Sequence, residues 1–397
     1  MSARDESPLS DWAAEQVEAG SWVRRMFNEG QRLRALHGDD AVADLALGQP
    51  LAEPSPQVRE ALQRAAAERG AARFAYMPNL GYPEVRERAA LDVRFAGVTR
   101  DRIAMTGGAG AAISLALRTF VDPGDEVIGV IPYFGEYRPY CAAVGARFVA
   151  VPSRDDMSLD LAAIEAALTP RTAALILNTP NNPSGYVVTA SELQALAAML
   201  DAHRRSTGRR VVLVVDAVYR GLVYPPKPSL NAMDFYDATV LARSFSKDLG
   251  LAGERIGYLA VHPELGGAEV ERGLELCQRA LGFVNAPATM QRTLLHLDAW
   301  DVDLQPFQER RDHAVQCARE AGLEFEPPQG GLYLWLRSPW SDALEFAQAL
   351  AEKLVIVAPG VAFGMADRFR ICFTAPHDAL ERAMARIAEV SAVELTA

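Results

Sequence analysis

Several reactive side chains stand just past short apolar runs in this chain of 397 residues. Lys247 lies in Ser244-Phe-Ser-Lys247, which follows the run Thr239–Ala242 and continues through DLGLAGERIG to Gly257. Asp216-Ala-Val-Tyr219 follows Val211–Val215, and Asn178-Thr-Pro-Asn-Asn182-Pro-Ser-Gly185 follows Ala173–Leu177. Thr106-Gly-Gly-Ala-Gly110 precedes a helical stretch at 109–120. Ligands of open α/β sheets bind beyond the carboxyl ends of the strands, so these loops point to one place. Gly108, Ala109 and Gly110 open a helix, where free N–H groups and the dipole favour an anion. A lysine amine can add to a carbonyl or move a proton. Arg370, in Phe369-Arg-Ile-Cys-Phe373, is a charge between apolar strand residues, which is costly unless paired. Each feature also has a plain explanation: a solvated lysine, a loop acid capping a turn, a turn asparagine, a core tyrosine, a glycine turn.

Taken in order, the set resembles the pyridoxal-phosphate (PLP) enzymes of fold type I, class I/II aminotransferase family, over nearly the whole chain. The order is Tyr76-x-Pro-x-x-Gly81-x-Pro-Glu, the glycine loop, an aromatic near 134, Asn182-Pro-x-Gly185, Asp216-x-x-Tyr219, Ser244-x-x-Lys247, Arg255 and Arg370. The resemblance implies an aldimine between PLP and Lys247, whose freed amine is then the base for the Cα proton. It implies that Asp216 keeps the pyridine nitrogen protonated, so that the ring acts as an electron sink. Tyr219 and Asn182 resemble the groups that hydrogen-bond the ring's phenolic oxygen. Gly108, Ala109, Gly110, Ser244 and Arg255 would hold the phosphate. Phe134, in Pro132-Tyr-Phe-Gly-Glu-Tyr137, resembles the aromatic stacked on the ring, with Tyr133 the competing choice. Arg370 would fork onto the substrate α-carboxylate. Gly48, in Leu47-Gly-Gln-Pro50, resembles the glycine whose backbone approaches the substrate. Tyr76 resembles the tyrosine that reaches a neighbour's phosphate, so the resemblance implies a homodimer with shared sites.

The pattern departs from the family in places. Gly110 stands where many members carry lysine or glutamine. Gly331-Leu-Tyr333 replaces a common alanine-phenylalanine form near the pocket. In Gly20-Ser-Trp-Val-Arg-Arg-Met-Phe27, Trp22, Arg24 and Arg25 are candidates for substrate specificity or for a solvated basic helix face.

Placing these residues requires strands that end together. Val127–Ile131, Arg147–Val151 and Ile256–Val261 join the runs above as apolar, strand-like segments. Amphipathic stretches separate several of them, and Thr189-Ala-Ser-Glu192 is a capping box before LQALAAML. Strands apolar throughout, separated by helices, argue for a mostly parallel sheet covered on both faces. Residues 10–38, 301–321, Ser341–Lys353 and Asp378–Val390 read as helical, and Leu332–Leu336 and Phe369–Phe373 as strands. The expected organisation is α/β. Residues 1–46 form an N-terminal segment belonging to a small α+β domain, 47–288 the large PLP-binding domain, and 289–397 the rest of the small one.

Composition narrows the class. Half the residues are apolar and 23% are charged, ordinary globular values. The 40 basic and 51 acidic side chains leave a formal charge of −11, which gives no general attraction to nucleic acid or anionic lipid. No apolar run approaches the ~18–20 residues of a membrane span, and MSARDESPLSDW does not read as a secretion signal. Cys141, Cys277, Cys317 and Cys372 form no zinc spacing and read as reduced thiols, and the six histidines make no HExxH. No metal is expected, and the expected location is cytoplasmic. The reading is an aminotransferase acting on an amino acid and a 2-oxo acid. Its rivals are a PLP-dependent β-lyase or amino-acid tailoring enzyme on the same fold, and a non-catalytic sensor. The sensor would need a DNA-binding module that is not evident before Gly48.

Overall fold

The computed structural model describes residues 8–19, 22–48 and 53–392. Strand β1 is the short Ala43–Asp44. Strands β2 (Ile103–Thr106), β3 (Glu126–Val130), β4 (Arg147–Val151), β5 (Thr172–Asn178), β6 (Val212–Asp216), β7 (Thr239–Ser244) and β8 (Gly257–Val261) form one sheet, in the order β2-β8-β7-β6-β5-β3-β4. β3 to β7 pair in parallel, whereas β8 runs against both its neighbours, β2 and β7.

Burial explains the sequence pattern. Every residue of β5, β6 and β7 is buried. A strand covered on both faces has no solvent side on which to alternate, so it reads as a continuous apolar run. The helix Ala109–Phe120 lies on β7 and β8 and buries Ala112, Ile113 and Leu115–Leu117. The capping box forms at the start of the helix Ala190–Thr207: the Glu192 N–H donates to Thr189 Oγ1 at 3.3 Å, and the Thr189 N–H donates to Glu192 Oε2 at 2.8 Å. Gly208, at φ 74°, ends that helix in the left-handed conformation that suits glycine.

The chain ends build a second core. β9 (Tyr333–Arg337), β11 (Ala358–Pro359) and β12 (Arg368–Cys372) form an antiparallel sheet in the order β11-β12-β9, while β10 (Val355–Ile356) pairs in parallel with β1. Helices Gln305–Glu320, Ala343–Glu352 and His377–Ser391 accompany these strands, and Phe346, Leu350, Phe369, Ile371, Leu380 and Ile387 pack among them. In the stretch expected to be helical over 10–38, the described residues form the helices Asp11–Ala19 and Trp22–His37, and Gly20 and Ser21 between them lie outside the described residues. No helix among the described residues is long and apolar enough to cross a membrane.

This topology builds a reactive edge. β2, β3, β5, β6 and β7 all end on one side of the main sheet. Because β8 runs the other way, the residues just before it reach that same side. Ser244 and Gly257 face each other in the β7–β8 register, so the loop between them begins and ends at this edge.

Candidate active site

Asp216 is the last residue of β6 and is buried. Tyr137 Oη donates to its Oδ2 at 2.6 Å, and the Val218 N–H donates to Oδ1 at 3.3 Å. Burial pushes the carboxyl up to about 6, against the pull of those two donors. No basic side chain pairs with it among the described residues. Asn178, which ends β5, locks the next loop. Its Nδ2 donates to the Asp216 carbonyl at 2.9 Å, and its Oδ1 accepts the Asn182 N–H at 2.6 Å.

The glycine loop lies beside the turn before β8. Gly108 caps the helix Ala109–Phe120 at φ 97°, and a Cβ there would stand 2.9 Å from Arg255 Nη2. A Cβ at Gly110 would stand 2.7 Å from the Tyr140 hydroxyl. Tyr140 therefore fills the space that a longer residue at 110 would need. Burial, with Glu136 and Asp216 nearby, pushes the Tyr140 phenol up to about 12, while Arg255 pulls it down. Ser244 Oγ donates to Ser246 Oγ at 2.8 Å, and Arg255 Nη1 donates to the same Ser246 oxygen at 3.5 Å. Arg255 sits at φ 53°, a left-handed conformation unusual for a side-chain-bearing residue.

The third group spans both sheets. Lys247 Nζ donates to the Gly48 carbonyl at 2.5 Å. Arg370, on β12, is buried. Its Nη1 donates to Asn182 Oδ1 at 2.8 Å and its Nη2 donates to the Ala46 carbonyl, while Nε has no hydrogen-bond partner among the described residues. Its guanidinium stacks 4.1 Å from the Tyr333 ring centroid and 4.7 Å from that of Phe363. The Tyr219 and Tyr333 hydroxyls lie 3.0 Å apart. A Cβ on Gly48 would overlap the Tyr333 hydroxyl, so only glycine fits there. Behind Lys247, Arg243 Nη2 pairs with Asp248 Oδ2 at 2.5 Å, and Arg243 Nη1 donates to the Ser244 carbonyl at 2.8 Å. Arg220 and Tyr258 both bond Asp92 close by.

Asp216, Asn182, Tyr219, Ser244, Lys247, Arg255 and the glycine loop thus lie past strand ends at that edge of the main sheet, and Arg370 and Gly48 meet them from the second sheet's side. Ala109, also buried, is the first residue of the helix that Gly108 caps. Phe134 is half-buried and meets the Tyr137 ring edge-on at 5.7 Å, next to Asp216's donor. Tyr133 instead packs against Phe148 at 4.9 Å. Tyr76 is fully exposed. Trp22 and Arg25 line a groove with Gln348 and Glu352 that holds none of the residues above. The Arg24 side chain, with Gln49 and Pro50, lies outside the described residues. Sequence reasoning did not single out Tyr137, Tyr140 and Ser246 as members of the site: Tyr137 and Ser246 lie inside quoted segments without a role of their own, and no local motif marks Tyr140.

A phosphate-bearing cofactor with a cationic ring fits these residues on two counts. Asp216 is a buried carboxylate with no basic partner among the described residues, and residues 108–110 open a helix whose first backbone N–H groups have no intrahelical acceptor, beside the Arg255 guanidinium. Among the described residues, no group of His, Cys, Asp and Glu side chains could hold a metal.

Comparison with known proteins agrees. The family model described as aminotransferase class I and II matches residues 40–387. A probable aspartate aminotransferase of Methanocaldococcus jannaschii is 27% identical, over 93% of this chain and 96% of its own length. An aromatic-amino-acid aminotransferase of Thermococcus litoralis is 28% identical, over 93% and 95%. The crystal structure of an amino transferase from Eubacterium rectale superposes with a TM-score of 0.90 at 27% identity, covering 97% of this chain and 98% of that one.

Proposed function

The chain belongs to the class I and II aminotransferase family, PLP-dependent enzymes that move an amino group between an α-amino acid and a 2-oxo acid, and on that premise we propose which residues carry the reaction. The carrying observation is the convergence at one sheet edge of the Lys247 amine, the buried Asp216 carboxylate and a bare helix start beside Arg255. When bound, PLP supplies an aldehyde that captures amines and a ring that draws electrons from the substrate Cα. Lys247 would hold the cofactor through its amine, and the same amine is the group that would move the substrate Cα proton. Asp216 keeps a proton on the ring nitrogen. Gly108, Ala109 and Gly110 offer backbone N–H groups to the phosphate, and Ser244 and Arg255 add a hydroxyl and a guanidinium. Phe134 covers a ring face.

Tyr219 and Asn182 donate to the ring's phenolic oxygen. The geometry supports this for Asn182: Arg370 occupies its Oδ1, which leaves the Nδ2 group as the donor. Arg370 receives the substrate α-carboxylate, with the Gly48 backbone alongside. The functional unit is a homodimer in which Tyr76 reaches the phosphate of the neighbouring site. The exposure of Tyr76 and of Phe74 beside it supports this. The acidic charge and the membrane result above fit a cytoplasmic enzyme.

Incubating the holoenzyme with single amino acids and no oxo acid tests the reaction. The expected result is one equivalent of 2-oxo acid and conversion of the cofactor to its amine form. Pyruvate and ammonia from a cysteine conjugate, with the cofactor unconverted, would show a lyase instead. Borohydride reduction and peptide mapping should place the pyridoxyl label on Lys247, and a label elsewhere removes that lysine from the role.

A further inference from the structure

We propose that Tyr333 is a positioning residue that acts on the cofactor's phenolic oxygen through Tyr219. Its hydroxyl donates to the Tyr219 hydroxyl and makes Tyr219 the stronger donor. The inference rests on the reading that Tyr219 faces that oxygen.

The direction of the bond follows from counting protons. The two hydroxyls are 3.0 Å apart and both rings are buried. Each phenol carries one proton. If Tyr219 gives its proton to an anionic oxygen outside the pair, its own oxygen is left to accept. Tyr333 is then the donor. Burial and the neighbouring Tyr333 push the Tyr219 phenol well above its ordinary value, so it remains a neutral donor.

Tyr333 is also held firmly enough to do this. It pairs with Cys372 in the β9–β12 register. The Arg370 guanidinium lies against its ring, and the bare Gly48 backbone leaves its hydroxyl the room it occupies. The titratable and charged groups acting on Tyr219 are Tyr333, Arg370, Asp216 and Tyr137. A donor polarised by a second donor binds an anion more strongly, by roughly 10–30% per bond in condensed phase. The Tyr333 hydroxyl therefore lowers the pH at which the bound cofactor's protonated and unprotonated absorption bands interchange.

The test is a spectrophotometric pH titration of the holoenzyme and three variants. Tyr333→Phe keeps the ring beneath Arg370 and removes only the hydroxyl. The midpoint should rise by about 0.2–0.6 pH unit in Tyr333→Phe and further in Tyr219→Phe. In the double variant Tyr333→Phe should add nothing to Tyr219→Phe, as a relay requires. Thermal unfolding of Tyr333→Phe reports separately on its fold. An unmoved midpoint in Tyr333→Phe, or an equal shift in both backgrounds, overturns the relay while the assignment of Tyr219 stands. An unmoved midpoint in Tyr219→Phe overturns that assignment and the inference with it.

Discussion

Arg370 and Asn182 fix each other's orientation across the boundary between the two sheets, through an Nη1–Oδ1 hydrogen bond of 2.8 Å. The same guanidinium reaches the Ala46 carbonyl and lies between two aromatic rings. Its plane is therefore set before any substrate arrives, and the Asn182 amide is set with it. A planar fork can hold a carboxylate at two points while keeping a neighbour in place, which an ammonium cannot reproduce.

Arg370→Lys should keep PLP bound and lower kcat/KM by at least about tenfold. Steady-state kinetics alongside the absorbance of the bound cofactor check this. An unchanged kcat/KM would take Arg370 out of substrate binding.

Asp216 should leave a pH signature in the apoprotein. Its carboxyl rises from 3.8 to about 6 on folding, mainly through burial. A raised value stabilises the fold below the unfolded value and loses that contribution as the pH climbs through the folded one. Between pH 4 and 8, apo wild type should therefore lose up to ~3 kcal/mol relative to apo Asp216→Asn. Urea unfolding across that range measures it, and parallel pH profiles would contradict it. In the holoenzyme the same substitution should slow turnover at least about tenfold, because a charge-assisted bond of ~1.5–3 kcal/mol is lost.

The buried pair behind the lysine loop should matter for stability. Arg243 joins Asp248 and the Ser244 carbonyl on either side of Lys247. Arg243→Met leaves Asp248 buried and unpaired and should cost ~3–5 kcal/mol in urea unfolding. Arg243→Met with Asp248→Leu should recover part of that loss, since removing both charges also removes the desolvation penalty. A loss below ~1 kcal/mol in the single variant would show that the pair contributes little.

Subunit mixing tests Tyr76. Tyr76→Phe and Lys247→Ala chains should each be inactive alone. Co-refolded, they should regain activity, because the heterodimer contains one site with both residues intact. No recovery, despite proven exchange of subunits, would place Tyr76 outside the neighbouring site.

The parts of this site that end strands were legible because buried strands are apolar runs, and Asp216 and Ser244 are the polar residues that close them. The helix start at Gly108 was legible for a similar reason. β2 was missed: Ile103–Thr106 runs straight into the glycine loop, and a short, fully buried run cannot be told from a buried helix segment by its period. Tyr137 and Tyr333 were not legible as partners. Tyr137 meets Asp216 from 79 positions away, and Tyr333 meets Tyr219 from 114 positions away. Nothing local distinguishes such a tyrosine from one that fills the core. The departure at Gly110 has its reason in Tyr140, which lies 30 positions on and occupies the space that a longer residue there would need.

The strip from Ala43 to Gly48 is sewn to the C-terminal sheet. The Leu45 N–H donates to the Ile356 carbonyl at 2.8 Å, the Cys372 N–H donates to the Leu45 carbonyl at 2.7 Å, and Arg370 holds Ala46. Gly48 and Arg370 therefore sit on the second sheet's side of the site, while Lys247 and Asn182 lie on loops at the edge of the main sheet. The contacts Lys247–Gly48 and Asn182–Arg370 bridge the main sheet's loops and the second sheet's side, while Tyr219 already packs with Tyr333 in the second core. The site is built as a clasp: before any ligand arrives, its amine, its amide and its phenol are each already held by a mate from the chain-end segments.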